Sequence, residues 1–204
     1  MSRPTRRDQL LAAAERIVRR DGVVRLTLDA VAVEAGTSKG GLLYHFASRE
    51  ALITAMVERH LDAFSASLAA GMAEDLEPRG RWTRAYLQAT APLDGPSDGA
   101  TATGLLAAMA SNPALADPMR ARYQAWREEM AADGIPEADA MIVALAADGL
   151  WMADLLGFAA PAGAQRRRIL ARLIELAGGP ASAATPAPAA PVTNRAEPPA
   201  SPER

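Results

Sequence analysis

Along most of this chain apolar residues return every three or four positions, the period of a helix with one buried face. From Arg6 to Arg20, the residues Leu10, Leu11, Ala14, Ile17 and Val18 fall at i, i+1, i+4, i+7 and i+8, and Asp21-Gly22 ends the run. A second helix is predicted from Thr27, whose hydroxyl can cap free backbone N–H groups, through Leu28, Val31 and Ala32 to Ala35. Gly36 stops it, because glycine takes the left-handed conformation that helix ends favour. Ser38 supplies the next cap, and Lys39 to Phe46 form a short third helix. A fourth opens at Ser48, and Ile53, Val57, Leu61, Phe64 and Leu68 carry it toward Met72.

Helical patterns resume after the acidic stretch around Asp75 to Pro78. Arg79 to Ala91 is one; after a break at Pro92, Gly95, Pro96 and Gly99, Thr101 to Ala110 and Pro113 to Ala132 follow. Glu137 to Phe158 is apolar nearly all round, which implies burial on more than one side. Gln165 to Ala177 sets Ile169, Leu170, Leu173, Ile174 and Leu176 opposite four arginines. No run of alternating β-branched residues makes a credible strand, so the expected fold class is all-α with about nine helices. The last 26 residues are mainly Ala, Pro, Ser and Thr, too poor in large apolar groups to offset the entropy of ordering; a disordered tail is expected over 179–204.

Composition narrows the chemistry. With no cysteine, thiol nucleophiles, disulfides and thiolate metal sites are excluded, and the two histidines, His45 and His60, make a multi-histidine metal site improbable. No phosphate-binding glycine loop or Ser-His-Asp arrangement is present, so neither an enzyme nor a cofactor is expected. Neither a signal peptide nor a membrane-spanning run is seen, which makes the cytoplasm the expected compartment. Residues 1–60 hold ten Lys or Arg against seven Asp or Glu, leaving twelve against seventeen of the totals for the remainder. A mildly basic head on an acidic body suits a phosphate-facing end.

The informative segment is 26–52, LTLDAVAVEAGTSKGGLLYHFASREAL: a helix, a tight turn at Ala35-Gly36-Thr37 and a second short helix, the order of a helix-turn-helix. In such a motif the second helix enters the major groove through its N-terminal residues. Lys39, Gly40 and Gly41 open that helix, where free N–H groups and the positive dipole end favour a phosphate and absent side chains permit close approach. Leu42, Leu43 and Phe46 read as packing, and the Tyr44 ring as partly core. Arg3, Arg6 and Arg7 suit a mobile arm that adds attraction or reaches a minor groove.

An apolar helix followed by Gly22, Thr27, Val31-Ala32, Ala35-Gly36, Ser38, Gly40, Tyr44, Phe46 and Ser48-Arg49-Glu50-Ala51-Leu52 resembles the DNA-binding domain of the TetR/AcrR family over residues 6 to 57. Thr37 stands where a small aliphatic residue is more usual, and Arg49 where Lys is commoner. The resemblance implies a transcriptional regulator, usually a repressor, that grips a palindromic double-stranded operator as a homodimer. It implies DNA contacts from Thr27, Thr37, Ser38, Lys39, Gly40, Gly41, Tyr44, His45 and Arg49. The expected division is a DNA-binding domain over 1–50, with its helix-turn-helix at 27–46, and a helical ligand-binding and dimerisation domain over 51–178.

For that second domain the resemblance implies a small apolar or amphipathic effector. Adaptable aromatic and Met side chains suit a pocket, and Trp82, Tyr86, Met109 and Tyr123, with Trp126, Met130, Trp151 and Met152, are candidate lining residues; each is also an ordinary core candidate. Met119 and Phe158 are further candidates, whereas His60 reads as structural. The last two helices are expected to form the dimer interface, through Leu145, Met152, Ile169, Leu173 and Leu176. Asp148 and Asp154 interrupt an apolar helix; they pair with Arg across the dimer, line a polar corner of the pocket, or face water.

Overall fold

The computed structural model describes residues 4–93 and 99–179. Arg3, the break at Gly95-Pro96 and the expected tail beyond Gly179 lie outside the described residues. Nine α-helices and no strand are found among those described: α1 (Arg6–Asp21), α2 (Leu28–Glu34), α3 (Lys39–Leu43), α4 (Arg49–Glu74), α5 (Arg81–Thr90), α6 (Gly99–Ser111), α7 (Asp117–Ala131), α8 (Glu137–Leu156) and α9 (Gly163–Leu176).

The first four helices begin where side chains satisfy their free N–H groups. Thr5 and Asp8 form a reciprocal capping box on α1, while Thr27, Ser38 and Ser48 accept from the third residue of α2, α3 and α4. The turn between α2 and α3 closes with Gly36 N–H on Val33 O and Thr37 N–H on Ala32 O, and Gly36 stands at φ 61°, which a residue with a Cβ adopts only under strain. The N-terminus of α5 is capped from a distance instead: Asp133 accepts from the backbone N–H of Trp82 and Thr83 at 3.0 and 2.8 Å and from the Thr83 hydroxyl.

Several boundaries differ from the sequence reading for identifiable reasons. A single 3₁₀ turn, Val23–Arg25, precedes α2, and α3 is one turn shorter than expected because His45 N–H bonds three residues back, to Leu42 O, and tightens the end. The expected helix from Pro113 divides into a 3₁₀ turn, Pro113–Ala116, and α7. Pro118 has no N–H to give and fits only a first turn.

One buried cluster runs through the molecule, from Leu10, Leu11 and Ile17 of α1 through Ile53 and Met56 of α4 to Leu87 of α5 and Val143 of α8. Of the three N-terminal helices α1 packs on α4, α2 packs on α1 and α3 on α2, and α6 packs on α1 as well. Two buried arginines brace the remainder. Arg84 ties the α4–α5 connection to the end of α9, and Arg166 pairs with Asp154 at 2.9 Å while donating to Pro92 O. Asp154 thus finds its Arg within its own chain, a surrounding that none of the three sequence alternatives described.

Candidate nucleic-acid interface and ligand cavity

Leu42 and Phe46 are buried, and this anchoring turns the start of α3 outward. Ser38 Oγ accepts from Gly41 N–H at 3.1 Å, leaving Lys39, Gly40 and the remaining N–H groups at an exposed helix start. Leu43 is half-exposed rather than packed, and Tyr44 is 87 % exposed, so its ring is not core as the sequence suggested. Leu42 and the following Phe46 form the inner face of this segment, which turns Leu43 and Tyr44 between them outward. The Tyr44 ring meets the half-buried His45 imidazole edge-on at 5.1 Å.

The neighbouring cations are already engaged. Lys39 Nζ lies 3.0 Å from Asp29 Oδ1, on the surface. Arg49 donates from Nε to Leu26 O at 2.7 Å and from Nη2 to Val23 O at 2.8 Å, fastening the start of α4 to the turn before α2. Two of its nitrogens thus serve the fold. The Thr27 hydroxyl accepts from Ala30 N–H and stays exposed, while Thr37 is half-buried beneath Gly41. Arg6 and Arg7 belong to the first turn of α1 and are not a free arm: Arg6 reaches Gly36 O at 3.4 Å, and the Arg7 guanidinium stands 5.3 Å from the Phe46 ring centre.

Farther along, a cavity of about 360 Å³ opens between α1, α4, α5, α6, α7 and α8. Of the pocket candidates, Tyr86, Met119, Tyr123, Trp126 and Trp151 line it. Trp82, Met109, Met130 and Met152 do not. Trp82 stacks behind Tyr86 at 5.4 Å, Met130 is core, and Met109 borders a separate void of only about 20 Å³. Helical spacing marks a buried face without separating cavity wall from the layer behind it. Phe158, also a pocket candidate, lies exposed beyond α8. His60 lines the cavity, contrary to its structural reading, and so does Phe64. Both follow from the register of α4, legible only once the partners of that long helix are known.

Asp148 also lines the cavity and accepts a 2.7 Å hydrogen bond from the Tyr86 hydroxyl. Burial pushes its carboxyl above the usual aspartate value, against the opposing pull of that hydrogen bond. Burial likewise raises Tyr86 and Tyr123, with the nearby carboxylate adding to it, so both stay neutral hydroxyls. Near the N-terminal helices, Glu15 of α1 and Arg59 of α4 form part of the wall and pair with each other at 3.4 Å; Arg59 also donates to Asp8 O.

On the opposite side of α8 an apolar stripe faces outward. Ile142, Leu145 and Leu156 are exposed, Leu145 by 64 %, with half-buried Met152 between them. Ile169 and Leu176 of α9 are partly buried, but Leu173 is only 6 % exposed, because it points into the protomer's own core. As an interface residue Leu173 is corrected.

Two sequence profiles match: one for bacterial regulatory proteins of the tetR family over residues 10–56, and one for the tetracyclin repressor-like C-terminal domain over residues 80–178. The chain belongs to the TetR family. This TetR-family protein is accordingly a DNA-binding transcriptional regulator rather than an enzyme. It is similar to the multidrug binding protein EbrR complexed with imidazole, at 26 % identity and TM-score 0.59, over 84 % of this chain and 96 % of that one. A TetR-family member from Streptomyces coelicolor A3 aligns at 25 % identity and TM-score 0.63, over 83 % and 98 % of the two chains. A protein from Saccharomonospora viridis in complex with choline shares the fold at 20 % identity and TM-score 0.65, over 83 % and 95 %. No curated protein matches the chain significantly. No helix of the regulator is long and apolar enough to cross a membrane among the described residues.

Proposed function

We propose that this regulator acts in the cytoplasm as a ligand-responsive repressor and binds a palindromic operator as a homodimer. In this reading residues 1–50 form the DNA head and 51–178 the regulatory and dimerisation body. The observation that carries it is the exposure of Tyr44 directly after α3, the short helix whose start is also open to solvent. A large ring in water, with His45 its ring contact among the described residues, is what a phosphate-contacting side chain requires. Thr27, Thr37, Ser38, Lys39, Gly40, Gly41 and His45 flank it on the same end; Arg49 contributes by holding α4 against the motif and presents at most its remaining nitrogen. A single module of this size buries little DNA surface, so useful affinity calls for two heads about 34–36 Å apart. The outward stripe of Ile142, Leu145, Met152 and Leu156, with Ile169 and Leu176, suits the pairing.

The effector reading is supported by the cavity, and by EbrR and the Saccharomonospora viridis protein, whose structures hold imidazole, malachite green or choline. Selection of bound sequences from random DNA with the purified protein should enrich an inverted repeat. Enrichment of none overturns the reading. Tyr44→Phe combined with His45→Ala should weaken binding nearly uniformly across sequences without unfolding the protein; unchanged affinity would mean that the phosphate contacts lie elsewhere.

A further inference from the structure

The cavity combines two features whose chemistry points the same way. Phe64, Tyr86, Tyr123, Trp126 and Trp151 bring aromatic rings to its wall from four different helices. Four of them interlock: Phe64 with Tyr86 at 5.7 Å and with Trp126 at 4.8 Å, and Tyr123 with Trp126 at 5.2 Å, all tilted or edge-on, so that ring faces as well as edges border the space. Aromatic faces carry negative charge density and attract cations, most strongly where water is excluded.

Among these rings stands one carboxyl group. Asp148 has the Tyr86 hydroxyl on Oδ1, and no Lys or Arg among the described residues pairs with it. The other charged wall groups, Glu15 and Arg59, neutralise each other. The wall therefore carries one acidic group with no cationic partner among the described residues, and burial holds its carboxyl above the usual aspartate value. A second polar group stands beside it: the Thr90 hydroxyl lines the cavity, is buried, and has no hydrogen-bond partner among the described residues.

From the rings, the unpaired carboxyl and the free hydroxyl we infer that the cavity binds an organic cation, a protonated amine or quaternary ammonium carrying an apolar or aromatic body. The cationic head stands against Asp148 and the ring faces, and the body fills the space lined by Phe64, Met119 and Trp151. An amphipathic neutral or anionic effector does not fit as well, since it leaves Asp148 without a counter-charge in a low-dielectric site. The cavity volume lies in the roughly 300–1,000 Å³ range of small-molecule sites, which limits the cation to a modest size.

This inference rests on the reading of the cavity as the effector site, yet its test needs no DNA. Benzyltrimethylammonium and its uncharged carbon isostere, neopentylbenzene, have nearly the same shape, and their binding to the full chain is read from Trp fluorescence, checked by calorimetry. The cation should bind at least about tenfold tighter than the isostere. Asp148→Asn, which keeps an oxygen for the Tyr86 hydroxyl, should weaken the cation by about tenfold or more and leave the isostere unchanged, with circular dichroism confirming the fold. Acidification should weaken the cation as Asp148 takes up its proton, while Tyr86 and Tyr123 stay neutral; since His60 and the Glu15–Arg59 pair face the same space, the pH profile of Asp148→Asn is the control. Equal affinity for the two probes, no binding of either, or an unchanged cation affinity in Asp148→Asn overturns the inference. Addition of benzyltrimethylammonium to the operator complex separates the two readings: binding without release rejects the effector role and leaves the cation site standing.

Discussion

Replacing Arg84 tests whether a single buried cation holds the body together. Its side chain is 6 % exposed and donates four hydrogen bonds: Nε to Asp75 Oδ2 at 2.7 Å, Nη1 to Arg79 O and Ala177 O at 2.8 and 2.7 Å, and Nη2 to Glu77 O at 2.7 Å. Arg84→Met keeps the apolar stem and removes all four. Bonds to a charged donor contribute about 1.5–3 kcal/mol each, but Asp75 is 23 % exposed and the Glu77–Arg79 segment lies at the surface, so water replaces part of the loss. The Ala177 carbonyl, buried at the end of α9, has no such relief. The expected cost is about 3–5 kcal/mol, the range for breaking a buried pair, or roughly 10 °C in Tm for a domain of this length. Arg84→Lys should recover little, because an ammonium cannot reproduce the planar fork.

The hydrogen bond from Arg84 holds the Asp75 carboxyl below its usual pKa, so the stabilisation is present above the unfolded aspartate value and fades as pH falls through the lowered one. Urea and thermal unfolding of wild type and Arg84→Met at one fixed protein concentration should show the full gap at neutral pH and a narrowing gap below about pH 4. A gap under about 1 kcal/mol at neutral pH would refute the reasoning, since surface substitutions rarely exceed that.

At Gly104 a methyl group would stand 2.5 Å from Val18 Cγ1; Gly104→Ala should destabilise by about 1–3 kcal/mol, and Val18→Ala should relieve part of that in the double variant, measured as a cycle of urea midpoints. Asp29→Asn frees Lys39 from its surface pair and removes an anion from the DNA-facing end, so nonspecific DNA affinity should rise and its salt dependence steepen; fluorescence anisotropy at several salt concentrations reads both. Because burial raises the Asp148 carboxyl, the folded state favours its protonated form, and the group stabilises least above the raised value. Asp148→Asn should therefore raise Tm at neutral pH, with the gain shrinking on acidification; a lower Tm at neutral pH would contradict the assignment.

The helices of the N-terminal segment were legible because α2, α3 and α4 each declare their start. Thr27, Ser38 and Ser48 cap where a small hydroxyl precedes an amphipathic run, and Gly36 breaks the chain where a left-handed residue is needed. Pro118 carried the same kind of signal for the start of α7, although the longer apolar stripe masked it. The cavity was legible only in part. Periodicity identified Tyr86, Tyr123, Trp126 and Trp151 as inward-facing, but the same logic held for Trp82 and Met130, which pack one layer deeper. Which inward residue borders empty space depends on how six helices meet, and that is a long-range property. Arg49 and Lys39 show a further limit: their partners, the carbonyls of Val23 and Leu26 and the carboxylate of Asp29, lie ten or more positions away.

The ion pair between Glu15 and Arg59 has one foot in each half of the protein's work. Glu15 sits on the first helix of the DNA-gripping end, Arg59 also holds the Asp8 carbonyl of that helix, and both side chains border the cavity. A substitution there alters the wall that an effector meets and the footing of the reading head together. On the proposed reading of the cavity as the effector site, tuning of effector preference near this pair therefore carries a change in operator grip with it. Variants meant to retarget the sensor alone are best sought at Met119 or Trp151, on the far helices, where the wall can be reshaped without touching α1.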